Sequence, residues 1–284
     1  MMSKYVIPDF ARKYISHGMI EAHTKLPAFP DTRARLLFCM LEDERTADRQ
    51  ALYTLAVSLA QLGLDTHDWV AAAKEEESFE QMRSRQLRVL AGDYFNGRFY
   101  QLLAQAGKLE AVRLVSRAIC EVNRVKMIMN ERLRQLKLTT DEYVEHMVAI
   151  RSELFLAFAG FLRGPNLDRF PDLLRGITRC ELIHEELQRD DAGELHGGWS
   201  YCYMLQHATA DERAGIPQAD QAGMKALSRK YKTSGLLQSM LEEQLRSVRR
   251  LIEQFESDGM RTELFNLLEP FIPRLQKLRV ADER

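Results

Sequence analysis

Apolar residues recur at three- and four-residue steps along most of the chain, the period of a helix that buries one face. Leu36, Leu37, Met40 and Leu41 form a short first stretch. Leu52, Leu55, Ala56, Leu59, Leu62 and Gly63 form a longer one with a single apolar face, running into Leu64-Asp65-Thr66-His67-Asp68-Trp69-Val70. The polar residues 74–78 interrupt the pattern. A helix is predicted over about 81–106, stopping at Gly107, because glycine accepts the left-handed conformation that ends helices. Val112, Val115, Ile119, Val122, Val125 and Met129 then step by 3-4-3-3-4, a seam that predicts an antiparallel partner for the preceding helix.

Thr139-Thr140-Asp141-Glu142 has the Ser/Thr-x-x-Glu order of a capping box, so a helix begins there, carries the apolar run 154–162 and ends at Pro165. A helix over about 171–188 follows. Residues 190–217 lose the period and collect Gly193, Gly197, Gly198 and Gly215, which predicts a loop or hinge. Leu241, Leu245, Val248, Ile252 and Phe255 resume one face, followed by Leu264, Leu267, Leu268 and Phe271 before Pro273. Neither a strand pattern nor a fixed-period repeat is visible. The expectation is one all-α domain over 1–284, an antiparallel helical bundle with an irregular N-terminal segment 1–30.

Composition sharpens this reading. Fifteen glycines and eight prolines among 284 residues fall below the average combined usage of about 12%, too few for the tight turns of a β-sandwich. With a net charge of −1, no general field draws the chain to nucleic acid or to an anionic membrane. The start of the chain has no apolar signal core, and the longest apolar run is about half of what a membrane span needs, so a cytoplasmic location is expected. Cys39, Cys120, Cys180 and Cys202 are scattered without a C-x-x-C pair and read as small core residues.

Candidate chemistry is sparse. Glu181-Leu182-Ile183-His184 places two ligand types on one helical face, but a di-iron site needs two such motifs and a second is missing, so the pair reads as surface polar. Arg246, Arg249 and Arg250 could hold an anion, yet Glu242 and Glu253 stand four residues from Arg246 and Arg249 and make a charge-paired face the better account. Trp199, Tyr201 and Tyr203 could recognise a ligand or staple a loop to the core. Asp65 and Asp68 would share a helical face and could share a divalent cation, or simply mark a polar helix end.

Val89-Leu90-Ala91-Gly92-Asp93-Tyr94-Phe95 resembles the V-L-x-G-D-Y/F helix of trans-polyprenyl diphosphate synthases. Gly63 to Val70 falls where those enzymes carry their first D-D-x-x-D, and residues 143–155 look like their Tyr-containing helix ending in Leu-Phe. The resemblance spans roughly residues 45 to 190 and implies the isoprenoid synthase fold. In that family two D-D-x-x-D helices hold the magnesium ions that bind and ionise the allylic diphosphate. Here the first motif is reduced to Asp65 and Asp68 around His67. The acid positions of the second fall near Ile183, His184 and Leu187, Glu75-Glu76-Glu77 replaces an Arg-Arg pair, and Arg151-Ser152 stands near an absent Lys-Thr.

A synthase frame without its chelating acids is similar to the small, non-catalytic subunit family, heptaprenyl diphosphate synthase component 1. Leu64-Asp65-Thr66-His67-Asp68, Gly92-Asp93-Tyr94 and Ile119-Cys120-Glu121-Val122-Asn123-Arg124-Val125-Lys126 carry that similarity. It implies a heterodimer with a large catalytic subunit that supplies both aspartate-rich motifs and the Mg²⁺, no cofactor on this chain alone, and a product serving the menaquinone side chain. It also implies a partner interface over about 86–129, with Gly92, Asp93, Tyr94, Phe95, Phe99, Asn123 and Lys126 as candidates, Gly92 and Gly97 letting helices approach closely and Tyr94, Phe95, Phe99 and Tyr100 filling a partner's grooves; the same glycines and aromatics could instead serve the chain's own core. A stand-alone metal enzyme using Asp65, Asp68 and Glu181 or His184 stays open, as does a helical interaction protein unconnected with isoprenoids.

Overall fold

A computed structural model describes residues 4–41, 47–70 and 77–273. The described residues are all-α, with no strand among them. In chain order the helices are α1 (Ile7–Ile15), α2 (Gly18–His23), α3 (Asp31–Met40), α4 (Ala47–Asp68), α5 (Phe79–Gln105), α6 (Leu109–Arg134), α7 (Thr140–Leu156), α8 (Pro165–Ala192), α9 (Trp199–His207), α10 (Ala210–Gly215), α11 (Gln221–Tyr231), α12 (Thr233–Glu253) and α13 (Asp258–Asn266). Their contacts group into two compact units, residues 1–119 with 153–170 and residues 120–152 with 171–284.

The first unit is organised around α4, whose residues 53–64 are buried on every side. Leu55, Ala56, Val57, Leu59, Ala60, Leu62 and Leu64 are buried, and so are Thr54, Ser58, Gln61 and Thr66. The single apolar face expected for this helix is therefore too narrow. Small polar residues can enter the core because they bond their own helix: the Ser58 hydroxyl donates to the Thr54 carbonyl at 2.7 Å and Thr66 to that of Leu62 at 2.6 Å. α3 and α5 pack on α4. The Gln50 amide donates to the Phe38 carbonyl and the Asn166 amide to that of Met40, covering carbonyls left open at the end of α3.

α5 crosses α4 closely at two glycines. A Cβ on Gly63 would lie 2.7 Å from Asn96 Oδ1 and 3.2 Å from the Gly92 carbonyl, and one on Gly92 would lie 2.6 Å from the His67 ring. α5 ends as the sequence predicts, with Gly107 at φ +66°, and Ser78 and Gln81 form a capping box at its start. Within segment 1–30, expected to be irregular, α1 and α2 form helices, and residues 24–30 are without regular structure. Pro8 lies in the first turn of α1, where a missing N–H costs nothing, so it starts a helix rather than preventing one. The Tyr5 hydroxyl donates to Asp31 Oδ1 at 2.7 Å and ties this segment to α3.

The second unit packs α8 against α12. Ile177, Cys180, Ile183 and Leu187 of α8 and Leu237, Leu241, Leu245, Val248 and Ile252 of α12 are buried. The helices approach at Gly176, where a Cβ would lie 2.8 Å from Val248 Cγ2. Arg246, Arg249 and Arg250 are exposed on the far side of α12. The capping box at Thr139 forms: its hydroxyl accepts the Glu142 N–H at 3.2 Å, and Glu142 Oε2 accepts the Thr139 N–H at 3.0 Å.

Two expected boundaries move. α7 stops at Leu156, the rest of the apolar run lies in turns and a short 3₁₀ segment, and Pro165 opens α8 instead of closing α7. The loop or hinge expected over 190–217 holds α9 and α10. Gly193 (φ +78°) and Gly197 (φ +73°) turn the chain between α8 and α9, after which Tyr201, Met204, Leu205, Ala208 and Ile216 form a small core with Leu195 and Met224. Trp199 and Tyr203 stack at 5.1 Å between ring centres, so the aromatic cluster staples this segment. Cys39, Cys180 and Cys202 are core residues as expected, but Cys120 is exposed. Among the described residues no helix is long and apolar enough to cross a membrane. Glu75 and Glu76 lie outside the described residues.

The crossing at Gly63 leaves no room for a methyl group, so Gly63→Ala should destabilise the chain by about 1–3 kcal/mol through overpacking. Gly97→Ala points into open space and should stabilise α5 by about 0.5–1 kcal/mol. Urea denaturation of the two variants checks the contrast.

Candidate functional site

The reduced aspartate region forms the C-terminal end of α4. Asp65 is half-buried, and its Oδ1 accepts a hydrogen bond from Gln61 Nε2 at 2.8 Å. Thr66 is fully buried and Asp68 is exposed. His67 turns toward α5, with its ring against Gly92 and Nε2 3.3 Å from Asp93 Oδ1. Three of the predicted site residues, His67, Gly92 and Asp93, are thus brought together. The contact is an imidazole–carboxylate pair over a glycine notch.

The corresponding stretch of α8 contains no exposed acids at the expected positions. Ile183 and Leu187 are 2% and 0% exposed, apolar groups where chelation needs carboxylates. His184 packs its ring edge on Phe271 at 5.6 Å and its Nε2 meets Gln188 Nε2 at 2.9 Å. Among the described residues no group of three or more His, Cys, Asp or Glu side chains is arranged to hold a metal. Taken separately, neither stretch offers the converging acids that a magnesium ion needs.

The candidate interface residues divide by face. Phe95 and Phe99 are buried within the chain, at 0% and 5% exposure, so they fill its own core and not a partner's grooves. They lie on the side of α5 that faces α4. The opposite side, at helical spacing, presents Phe79, Leu90, Tyr94, Gly97 and Tyr100. Leu90 and Tyr100 are 63% and 56% exposed. The Arg98 guanidinium lies 4.8 Å above the Tyr94 ring and steadies it. Asn123 is exposed and Lys126 half-buried on α6.

Residues 17–190 match the family described as heptaprenyl diphosphate synthase (HEPPP synthase) subunit 1. The chain belongs to that family. Its relative heptaprenyl diphosphate synthase component 1 from Geobacillus stearothermophilus is 33% identical over 161 residues, 55% of this chain and 68% of that protein. Geranylgeranyl pyrophosphate synthase from Lactobacillus brevis superposes with a TM-score of 0.71 at 13% identity, covering 94% of both chains. Decaprenyl diphosphate synthase from Rhodobacter capsulatus gives 0.66 at 16% identity, covering 95% of this chain and 94% of that one. The likeness shows that this subunit 1 family member has the all-α isoprenoid synthase fold, and it continues past residue 190, where the family match ends.

Sequence reasoning missed the acids that α8 does bury. Glu186 Oε1 accepts from the Tyr143 hydroxyl and from Arg189, each at 2.7 Å, while Oε2 accepts the Trp199 N–H at 2.7 Å. Glu186 thereby caps α9, whose own N-cap, Gly198, has no side chain; a Cβ there would lie 2.5 Å from Glu186 Oε2. One turn on, Asp190 accepts from Ser200, Ser228 and Thr233 at 2.8–3.1 Å. In this subunit 1 chain both acids brace helices. The only sequence trace was Glu186 three residues before Arg189, which looks like any surface pair. Burial, and then the charge of Glu186, push the Tyr143 phenol well above its ordinary range.

Burial first, then the nearby charges of Glu181 and Glu186, push the Cys180 and Cys202 thiols from 9 up to about 12. Unfolded thiols ionise from about pH 8.5 while the folded ones keep their protons, so their contribution to stability is complete below that pH and is lost as pH rises toward about 12. Each thiol should lower the unfolding free energy by about 1.4 kcal/mol per pH unit in that window. Urea unfolding between about pH 8 and 11 should show a shallower slope for a Cys180→Ala/Cys202→Ala double variant than for the parent.

Proposed function

We propose that this chain is the non-catalytic subunit of a two-component polyprenyl diphosphate synthase. The reading rests on one observation above all: Ile183 and Leu187 are apolar and buried where the fold's second magnesium-binding motif would need acids. His67, engaged by Asp93 and Gly92, adds to it at the first motif. The partner is a large subunit that carries both aspartate-rich helices and binds the Mg²⁺ and the allylic diphosphate; this chain holds neither. The assembled pair extends farnesyl diphosphate with isopentenyl diphosphate in the cytoplasm to a hepta- or hexaprenyl product for the menaquinone side chain. Association stabilises the active shape of the partner and supplies apolar surface to the growing chain, which water would otherwise oppose.

The partner docks on the outer face of α5, where Phe79, Leu90, Tyr94 and Tyr100 offer apolar area around the side-chain-free Gly97. This replaces Phe95 and Phe99 as contact residues while keeping Tyr94 and Asp93.

Incubation with farnesyl and isopentenyl diphosphates and Mg²⁺ should give long-chain product only when the large subunit is added, as resolved by chromatography. Product from this chain by itself would refute the reading.

A surface and a core substitution should separate cleanly. Leu90→Glu should weaken association by at least about tenfold and leave the melting temperature of the isolated chain within a few degrees. Phe95→Ala should lower the chain's own stability by about 3–5 kcal/mol. Titration calorimetry and thermal unfolding measure the two effects; unaltered affinity for Leu90→Glu would remove α5 from the interface.

A further inference from the structure

Along the outer side of α5, Phe79, Arg83, Gln86, Leu90, Asp93 and Gly97 follow one another in steps of 4-3-4-3-4, and none of them is buried. That is the 3.5-residue period of a helix that pairs with another helix at a shallow angle. We propose that the occupant of this stripe, when the chain is alone, is a second copy of the same chain, its α5 lying antiparallel across the first about a two-fold axis level with Arg88.

An antiparallel copy reads the stripe backwards, so each contact joins residues equidistant from the axis and is made twice. With the axis at Arg88, Phe79 meets Gly97, Arg83 meets Asp93 and Gln86 meets Leu90. Each pairing is complementary in size or charge. Phe79, 68% exposed, faces the position that has no side chain and only open space in front of it. Arg83 has no ion pair among the described residues and reaches only the Met19 sulfur, at 3.9 Å. Asp93 has a side chain 67% exposed; His67 approaches its Oδ1, which leaves Oδ2 for a guanidinium. Sliding the second copy by one seven-residue repeat in either direction puts Arg83 opposite Tyr100 or Gln86, and Asp93 opposite Leu90 or beyond the start of α5. The two charges therefore select one register.

The flanks of the stripe are apolar as well: Val89 and Tyr94, both exposed, stand on either side of it. The overlap from Phe79 to Gly97 is roughly 27 Å long, which is small for a permanent interface, so the pair should form at micromolar concentrations and come apart readily. It shields the apolar residues of α5 from water while the chain has no other partner. The self-pair does not depend on the proposed subunit role. It uses the face assigned there to the large subunit, so the two occupants exclude each other.

Sedimentation equilibrium of the full chain from about 1 to 200 μM reads the pair directly. Arg83→Asp alone, and Asp93→Arg alone, set like charges opposite each other at both symmetry-related contacts, so each should weaken self-association at least about tenfold. A mixture of the two single variants has opposite charges at both contacts again and should associate like the parent. The Arg83→Asp/Asp93→Arg double variant should do so too, and it decides the matter if a single variant loses its fold in thermal unfolding. A parent that stays monomeric over the whole range, single variants that associate as well as the parent, or charge-swapped partners that fail to restore association would each overturn the proposal. Long-chain product on adding the large subunit is a separate readout: product formed by a chain that is monomeric alone removes the self-pair and leaves the subunit role standing, and a self-pair with no product does the reverse.

Discussion

The close crossing of α4 and α5 is the constraint from which the rest of the first unit follows. Two helices approach this near only where one of them lacks a side chain, and Gly63 and Gly92 supply the two gaps, filled by Asn96 and by the His67 ring. Once the helices meet there, the rotation of each is settled. Thr54, Ser58 and Gln61 are drawn into the core with their apolar neighbours. His67 is committed to α5, Phe95, Phe99 and Leu103 are turned inward, and Leu90, Gly97 and Tyr100 are turned out.

That crossing also bears on chemistry. A motif that holds metal must leave its acids free to converge on a cation. Here the most basic group of the Asp65–Asp68 stretch is spent on a neighbouring helix, and the half-buried acid takes an amide donor from one turn earlier. In the second unit packing dominates the stretch of α8 around residue 183. Ile183 and Leu187 contribute apolar volume, while Glu186 and Asp190, nearby and acidic, have oxygens occupied by hydroxyls, a guanidinium and a backbone N–H. A buried carboxylate so fully satisfied stabilises a unique arrangement of helices, but it has little capacity left for a cation.

Much of the helical frame was legible because it rests on period and end signals. The seam of α12, the glycine stop of α5 and the capping box at Thr139 all appear where spacing places them. What spacing misread was proline and glycine. Pro8 and Pro165 look like breakers but occupy first turns, and the glycines of 190–217 turn the chain only between helices whose aromatic residues then pack. The faces of α5 were misassigned for a related reason: Tyr94, Phe95, Phe99 and Tyr100 are all aromatic, and only the position of α4 decides which pair is core. The braces at Glu186 and Asp190 left no trace beyond the ordinary-looking Glu186–Arg189 spacing, because their other partners lie 10 to 43 residues away.

The buried polar groups of the second unit serve stiffness. Glu186 and Asp190 of α8 are tied to α7, α9, α11 and α12. Each bond contributes only about 0.5–1.5 kcal/mol, or about 1.5–3 where a charge takes part. Their directionality matters more, because a carboxylate with several fixed donors tolerates fewer alternative packings than an apolar contact of equal area. Fixed carboxylate braces in the second unit and exposed apolar residues Leu90, Tyr94 and Tyr100 on α5 of the first are the two features that bear on the proposed subunit role.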